Sequence, residues 1–223
     1  MRVLGIETST SQASVALVEA GRVVKSVAHA RPKQSAERLL PMIAELLAEV
    51  GWSRTSLDRI GVALGPGSFT GLRVGIACAQ GLALGLDVPL LGVTSPRAMA
   101  RAVPDTISGV RCAILDARRA EVFAAAHQSG PLAAETLAPL ALPIATAQAT
   151  LIELIAAPIV WIGSGLALLG IEPSVASAET NEPTAGAVGQ LAEELSPDEH
   201  PPIPVYVRDA GATLPDLGAP APH

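Results

Sequence analysis

At 223 residues with 49% hydrophobic side chains, the chain has material for the core of one domain or of two small lobes. A net charge of −6, 2% aromatic residues and scattered arginines exclude a stand-alone nucleic-acid binder, which would need a basic face or a stacking platform. Two cysteines, Cys78 and Cys112, both in apolar runs, exclude a disulfide framework and a cysteine metal site. The N-terminal run reaches the acidic Glu7 too early for a secretory signal. Glu, Gln, Pro or Gly interrupt the apolar runs before membrane-spanning length. A cytoplasmic protein with no membrane segment is expected.

In chain order, residues 3–6 read as a short buried strand, 14–18 as a second and 23–28 as a third, with Ala20-Gly21 as a hairpin turn. Residues 35–50 read as a helix: Leu39, Leu40, Ile43, Leu46, Leu47 and Val50 recur at helical spacing, and Gly51 stops it. Pro41 falls in the first turns, near where proline is tolerated. Residues 60–64 form a fully apolar strand, 73–86 a helix, 90–93 a buried strand and 96–103 a helix. The order β-β-β-α-β-α-β-α predicts a mixed sheet with an antiparallel start and parallel crossovers.

A boundary falls at 104–109. Strands are then expected at 110–115, 121–127 and 132–137, with a turn at Gln128-Ser129-Gly130-Pro131. A helix at 146–156, a strand at 159–162, a tight loop at Gly163-Ser164-Gly165 and a helix at 184–195 follow. This roughly repeats the first half. The prediction is a duplicated, two-lobed α/β architecture: residues 1–106, residues 107–208, and a proline-rich, disordered tail at 209–223.

The stretch Gly65-Pro66-Gly67-Ser68-Phe69-Thr70-Gly71-Leu72-Arg73 joins a strand to a helix. Glycines let backbone approach something closely, and a helix N-terminus offers unpaired N–H groups. A phosphate, a partner chain or the protein's own sheet could fill that role. Glu7-Thr8-Ser9-Thr10-Ser11 leaves the first strand and could face a phosphate with Gly65, Gly67 and Ser68; a polar turn capping a strand explains it equally well.

Asp116-Ala117-Arg118-Arg119-Ala120-Glu121 offers a carboxylate that could activate a nucleophile. No second carboxylate is tied to it by spacing, so a turn fixed by Asp116, Arg118 and Glu121 is the favoured reading. His29, His127, His200 and His223 include no pair three or four apart, so no helical metal clamp is expected. No nucleophile elbow and no P-loop lysine pattern occurs.

The 73–86 helix is apolar almost all round, with small residues recurring every fourth position: Gly71, Gly75, Ala79 and Ala83, and also Gly81 and Gly85. Such a helix must be covered on every side. Burial within the monomer is one reading. The sharper one is a partner seam built from Leu39, Leu40, Ile43 and Leu47 with Gly75, Cys78, Ala79 and Leu82.

Ile6-Glu7-Thr8-Ser9-Thr10, Glu37-Arg38-Leu39-Leu40-Pro41, the Gly65 to Gly85 stretch, Asp116-Ala117-Arg118 with Glu121-Val122-Phe123, and Pro204-Val205-Tyr206-Val207-Arg208 closely resemble the bacterial TsaB (YeaZ) family. The resemblance runs in the family's order from residue 3 to residue 208. It implies the two-lobed ASKHA fold of actin-like ATPases and sugar kinases. It also implies a part in making threonylcarbamoyladenosine, the base beside the anticodon in tRNAs reading A-starting codons. The catalytic relative, TsaD, carries a metal-binding histidine pair; Ser95 and Met99 occupy the matching positions here. The resemblance therefore implies a non-catalytic subunit that binds TsaD and the ATPase TsaE, meets tRNA through the complex and pairs with itself when alone. No tightly bound cofactor is expected, with ATP or ADP at the complex interface. Ser35 replaces a histidine common in the family, and Glu7 replaces an Asp. The competing readings are a nucleotide-binding regulator and a stand-alone phosphotransferase or peptidase-like enzyme of the same superfold.

Overall fold

The computed structural model describes residues 1–29 and 35–207. The side chain of Ser35, Arg208 and the tail at 209–223 lie outside the described residues.

Strands β1 (Arg2–Glu7), β2 (Ala13–Glu19) and β3 (Arg22–His29) form an antiparallel meander. Its second turn is Ala20–Gly21, both with left-handed φ (52° and 72°), the turn geometry that matches strand twist. Strands β4 (Arg59–Ala63) and β5 (Leu90–Val93) add in parallel beside β1, giving the order β3-β2-β1-β4-β5. Parallel neighbours need crossover connections, and two helices supply them: α1 (Ser35–Val50) and α2 (Phe69–Leu86).

Alternation along β1 divides the core. Leu4 and Ile6 pack with Leu39, Ile43, Leu46, Leu72 and Ile76 of α1 and α2. Val3 faces the other way, onto Val188, Leu191 and Ala192 of α7 (Ala185–Glu194).

The second sheet contains β6 (Val110–Arg118), β7 (Glu121–His127), β8 (Glu135–Pro143) and β9 (Ile159–Ile162), in the order β8-β7-β6-β9. Helix α3 (Ser95–Arg101) puts Met99 and Ala100 on one face, against Ala113, Leu115 and Phe123. Helices α4 (Ile144–Ile155) and α5 (Leu166–Leu169) cover the other face through Ala147, Leu151 and Leu166. A single turn, α6 (Ala178–Asn181), leads to α7.

The two-lobed α/β plan of the sequence is present, with two differences. The second sheet has four strands and no counterpart of β5. Helix α7 returns to the first sheet, so the segment 107–208 is not confined to the second.

Among the element boundaries that move, two have a local cause. The helix expected at 73–86 starts four residues earlier, because the Ser68 side chain accepts the Gly71 amide and caps it at Phe69. The strand expected at 132–137 lies at Glu135–Pro143. A turn comes first, with the Ala133 amide on the Gly130 carbonyl and Ala133 at φ 42°. The strand then tolerates Pro139 and Pro143 because it is at the sheet edge.

Candidate functional site

The glycine-rich loop runs from Leu64 to Ser68, includes a cis Gly65–Pro66 bond, and packs on the exit of β1. The Ser68 amide donates to the Ser9 carbonyl at 2.6 Å. The Thr8 hydroxyl donates to the Gly71 carbonyl at 2.8 Å. A Cβ at Gly67 would overlap the Ser9 carbonyl oxygen, one at Gly71 the Thr8 carbonyl oxygen, and one at Gly75 the Thr8 hydroxyl. These three glycines make room for the chain itself. Ser95 closes the arrangement: its amide donates to the Gly65 carbonyl at 2.9 Å, and its hydroxyl shares a 2.7 Å hydrogen bond with that of Ser9. The exits of β1, β4 and β5 are thereby joined.

A cavity of about 380 Å³ lies between the two sheets, over these exits. Of the six residues expected to face a phosphate, Ser9, Gly67 and Ser68 line it. Glu7, Thr8 and Gly65 are buried behind. The Ser68 amide and the clearances at Gly67, Gly71 and Gly75 are taken up by the chain's own Thr8 and Ser9. Burial pushes the Glu7 carboxyl up to about 7, opposed by the Ser9 hydrogen bonds and reinforced by the charge of Glu182.

The far wall of the cleft is the β6–β7 turn. Asp116 accepts the Arg118 amide at 2.7 Å and pairs with its guanidinium at 3.1 Å. Arg118 stands opposite Glu121 in the ladder. Arg118, Arg119 and Ala120 all take left-handed φ (62°, 54° and 60°). Asp116, Arg118 and Glu121 flank this turn, with the Arg118 side chain 83% exposed at the cleft mouth.

The proposed seam changes composition. Leu39, Ile43, Leu47, Gly75 and Ala79 are buried in the chain's own core, because they face the sheet. Cys78 and Leu82 are half-buried, and Leu40 is 53% exposed. The exposed residues of α2 beyond its first turn are instead Ala77, Gly81, Leu84 and Gly85 together with Arg73 and Gln80, with Leu84 87% exposed. On α1, which packs beside α2, Leu40, Ala44 and Ala48 are exposed. The four-residue spacing was visible in the sequence. The face that met the sheet was not, because the helix is apolar all round.

At 18 residues and mean hydropathy 1.4, α2 is long and apolar enough to cross a membrane, unlike the shorter run read from the sequence. Leu72, Gly75, Ile76, Ala79 and Ala83, 28% of the helix, pack inside the fold.

Ser95 and Met99 are both fully buried. Among the described residues, no three His, Cys, Asp or Glu side chains gather as metal ligands. His127 is enclosed with both ring nitrogens unpartnered, and burial, aided by the nearby Arg97 charge, pushes it down to about 3. Burial raises the half-buried Cys78 thiol and pushes that of the buried Cys112 up to about 12.

A family model described as TsaD, tRNA N6-adenosine threonylcarbamoyltransferase, matches residues 19–158. The solved structure of YeaZ from Pseudomonas aeruginosa matches at 30% identity and a TM-score of 0.74, covering 92% of this chain and 99% of that one. The chain belongs to the TsaB (YeaZ) family. It belongs equally to the wider family that the TsaD model describes, and its fold is the two-lobed ASKHA architecture. The TsaB protein of Escherichia coli (strain K12), a tRNA threonylcarbamoyladenosine biosynthesis protein, is 40% identical over 57% of this chain. That match spans 55% of the E. coli protein, about half its length. The Bacillus subtilis (strain 168) protein of the same name is 28% identical over 95% of this chain and 96% of its own length.

Proposed function

We propose that this TsaB-family chain is a non-catalytic, cytoplasmic subunit of the machinery that makes threonylcarbamoyladenosine in tRNA. The observation that carries the reading is the set of small and apolar residues left exposed on the two packed helices, Leu40, Ala44 and Ala48 on α1 and Ala77, Gly81, Leu84 and Gly85 on α2, which a partner helix can approach closely. TsaD is the partner we assign to it, with TsaE joining the assembled pair. A second copy of this chain takes the same face when TsaD is absent.

Two further observations support a non-catalytic role. Ser95 and Met99, at the positions of the catalytic relative's metal histidines, are committed to internal packing. The glycine-rich loop is committed to Thr8 and Ser9. We therefore assign ATP or ADP to the joint surface with TsaD rather than to this chain's own cleft, and tRNA contact to the complex.

The experiment is reconstitution of tRNA modification from purified TsaD and TsaE with and without this chain. Product that forms equally well without it sinks the proposal. Leu84→Arg should abolish co-purification with TsaD; an intact complex would show that the partner lies elsewhere.

A further inference from the structure

Helix α2 has little polar surface, and what it has is evenly placed. Beyond the first turn its exposed polar side chains are Arg73 and Gln80, and the exposed Asp87 caps its C-terminus. The three stand seven residues apart, about two helical turns, so they share one side of the helix with Ala77 and Leu84 between them. Gln80, Leu84 and Asp87 line a common groove of about 520 Å³ with Val88 and Pro89.

The two ends of this side are opposites. At the N-terminal end the Arg73 guanidinium lies over the Phe69 ring at 3.7 Å, and the Tyr206 ring packs on Phe69 at 5.3 Å. Phe69 is 36% and Tyr206 47% exposed, so a cation and two rings stand out from the surface. At the C-terminal end is the groove, with the Asp87 carboxylate in its wall. Among the described residues neither Arg73 nor Asp87 has an ion-pair partner. They lie about 21 Å apart along the axis, too far to pair within one chain.

A cation, a carboxamide and an anion at equal spacing make a helix side complementary to its own reverse. A two-fold axis at Gln80 brings Arg73 of each copy to Asp87 of the other and sets each Phe69 ring against the other's groove. Gln80 meets its own copy, and a carboxamide can both donate and accept. Leu84 falls near the small Ala77, and Gly81 beside the axis has no Cβ to hold the helices apart. A parallel arrangement would set Arg73 against Arg73 and Asp87 against Asp87. We propose that a second copy of this chain seats α2 antiparallel on α2, with the groove at the C-terminal end of each helix receiving the Phe69–Arg73 stack of the other. This rests on the reading of the exposed α1–α2 face as a partner surface. The two Arg73–Asp87 pairs fix register and orientation; exposed ion pairs add little affinity, and the apolar contacts supply the rest.

The test is sedimentation equilibrium of the full chain, with circular dichroism to confirm folding. Arg73→Asp and Asp87→Arg each place like charges at both ends of the helix pair and should weaken the dimer about tenfold. Combined in one chain they restore opposite charges, and the dimer should return to within about threefold of the native one. Single variants that dimerise like the native chain overturn the proposal, and so does a double variant no tighter than the singles. If Asp87→Arg does not fold, Arg73→Glu decides: a dimer as tight as the native one rejects the pairing. Leu84→Arg separates this inference from the reading beneath it. A dimer lost in Leu84→Arg but kept in the charge reversals leaves the face in place and rejects this register. A dimer that survives Leu84→Arg, or a native chain that stays monomeric, rejects the self-pairing altogether.

Discussion

The Ser68 amide donates to the Ser9 carbonyl at 2.6 Å, so the glycine-rich loop is bonded to the chain's own first strand exit. That relationship makes its glycines a packing requirement. A methyl group at Gly71 meets the Thr8 backbone carbonyl, which cannot move without shifting β1. Gly71→Ala should cost about 1–3 kcal/mol of stability, the range for overpacking. Gly81, on the open face of the same helix, meets nothing. Gly81→Ala should stabilise by about 0.5–1 kcal/mol through helix propensity alone. Urea unfolding of both variants checks the contrast, and a Gly71→Ala protein as stable as the parent would refute it.

The two faces of α2 should separate folding from association. Ala79 is fully buried, so Ala79→Arg places an unpaired charge in the core and should prevent folding. Leu84 is 87% exposed, so Leu84→Arg should change monomer stability by less than about 0.5 kcal/mol. Calorimetry with sedimentation analysis distinguishes them. Equal damage to stability from both would mean that Leu84 is packed within the chain.

The β6–β7 turn holds three consecutive non-glycine residues in the left-handed region. That conformation costs about 1–2 kcal/mol per residue with a Cβ. Ala120→Gly relieves one of them without touching the Asp116–Arg118 pair. A gain of about 0.5–1 kcal/mol in unfolding free energy is expected, and a loss would mean that the Ala120 methyl packs to more advantage than its strain costs.

Most of the fold was legible where hydrophobic period and punctuation agree. Strands β7 and β9 and helix α1 have the bounds their patterns predict, because Gly, Pro and charged residues bracket apolar runs. The start of α2 was obscured by glycines that read as loop, although its cap, Ser68, was in plain view. Strand β8 was misplaced because its prolines are tolerated only at an edge, and edges are a property of the assembled sheet. The return of α7 to the first sheet has no local signal. Which face of α2 meets the sheet was decided by packing, not by a pattern in its all-round apolar sequence.

Glu7 and His127 should pull the pH dependence of stability in opposite directions. The Glu7 carboxyl rises from 4.5 to about 7 on folding, so the folded state holds the proton more tightly. Its contribution is fully present below pH 4.5 and is lost as pH rises to 7. His127 falls from 6.5 to about 3, so the unfolded state holds that proton more tightly. Its contribution is present above pH 6.5 and is lost as pH falls toward 3. Between pH 4.5 and 6.5 each slope is on the order of 1 kcal/mol per pH unit, and the signs are opposite. The native chain should therefore show little net dependence from this pair in that window. His127→Leu should uncover a stability that declines from pH 4.5 to 7. Glu7→Gln should uncover one that declines as pH falls from 6.5. Unfolding free energies measured in urea from pH 4 to 8 give both profiles, and a His127→Leu curve parallel to the native one would show that His127 is not held neutral by burial.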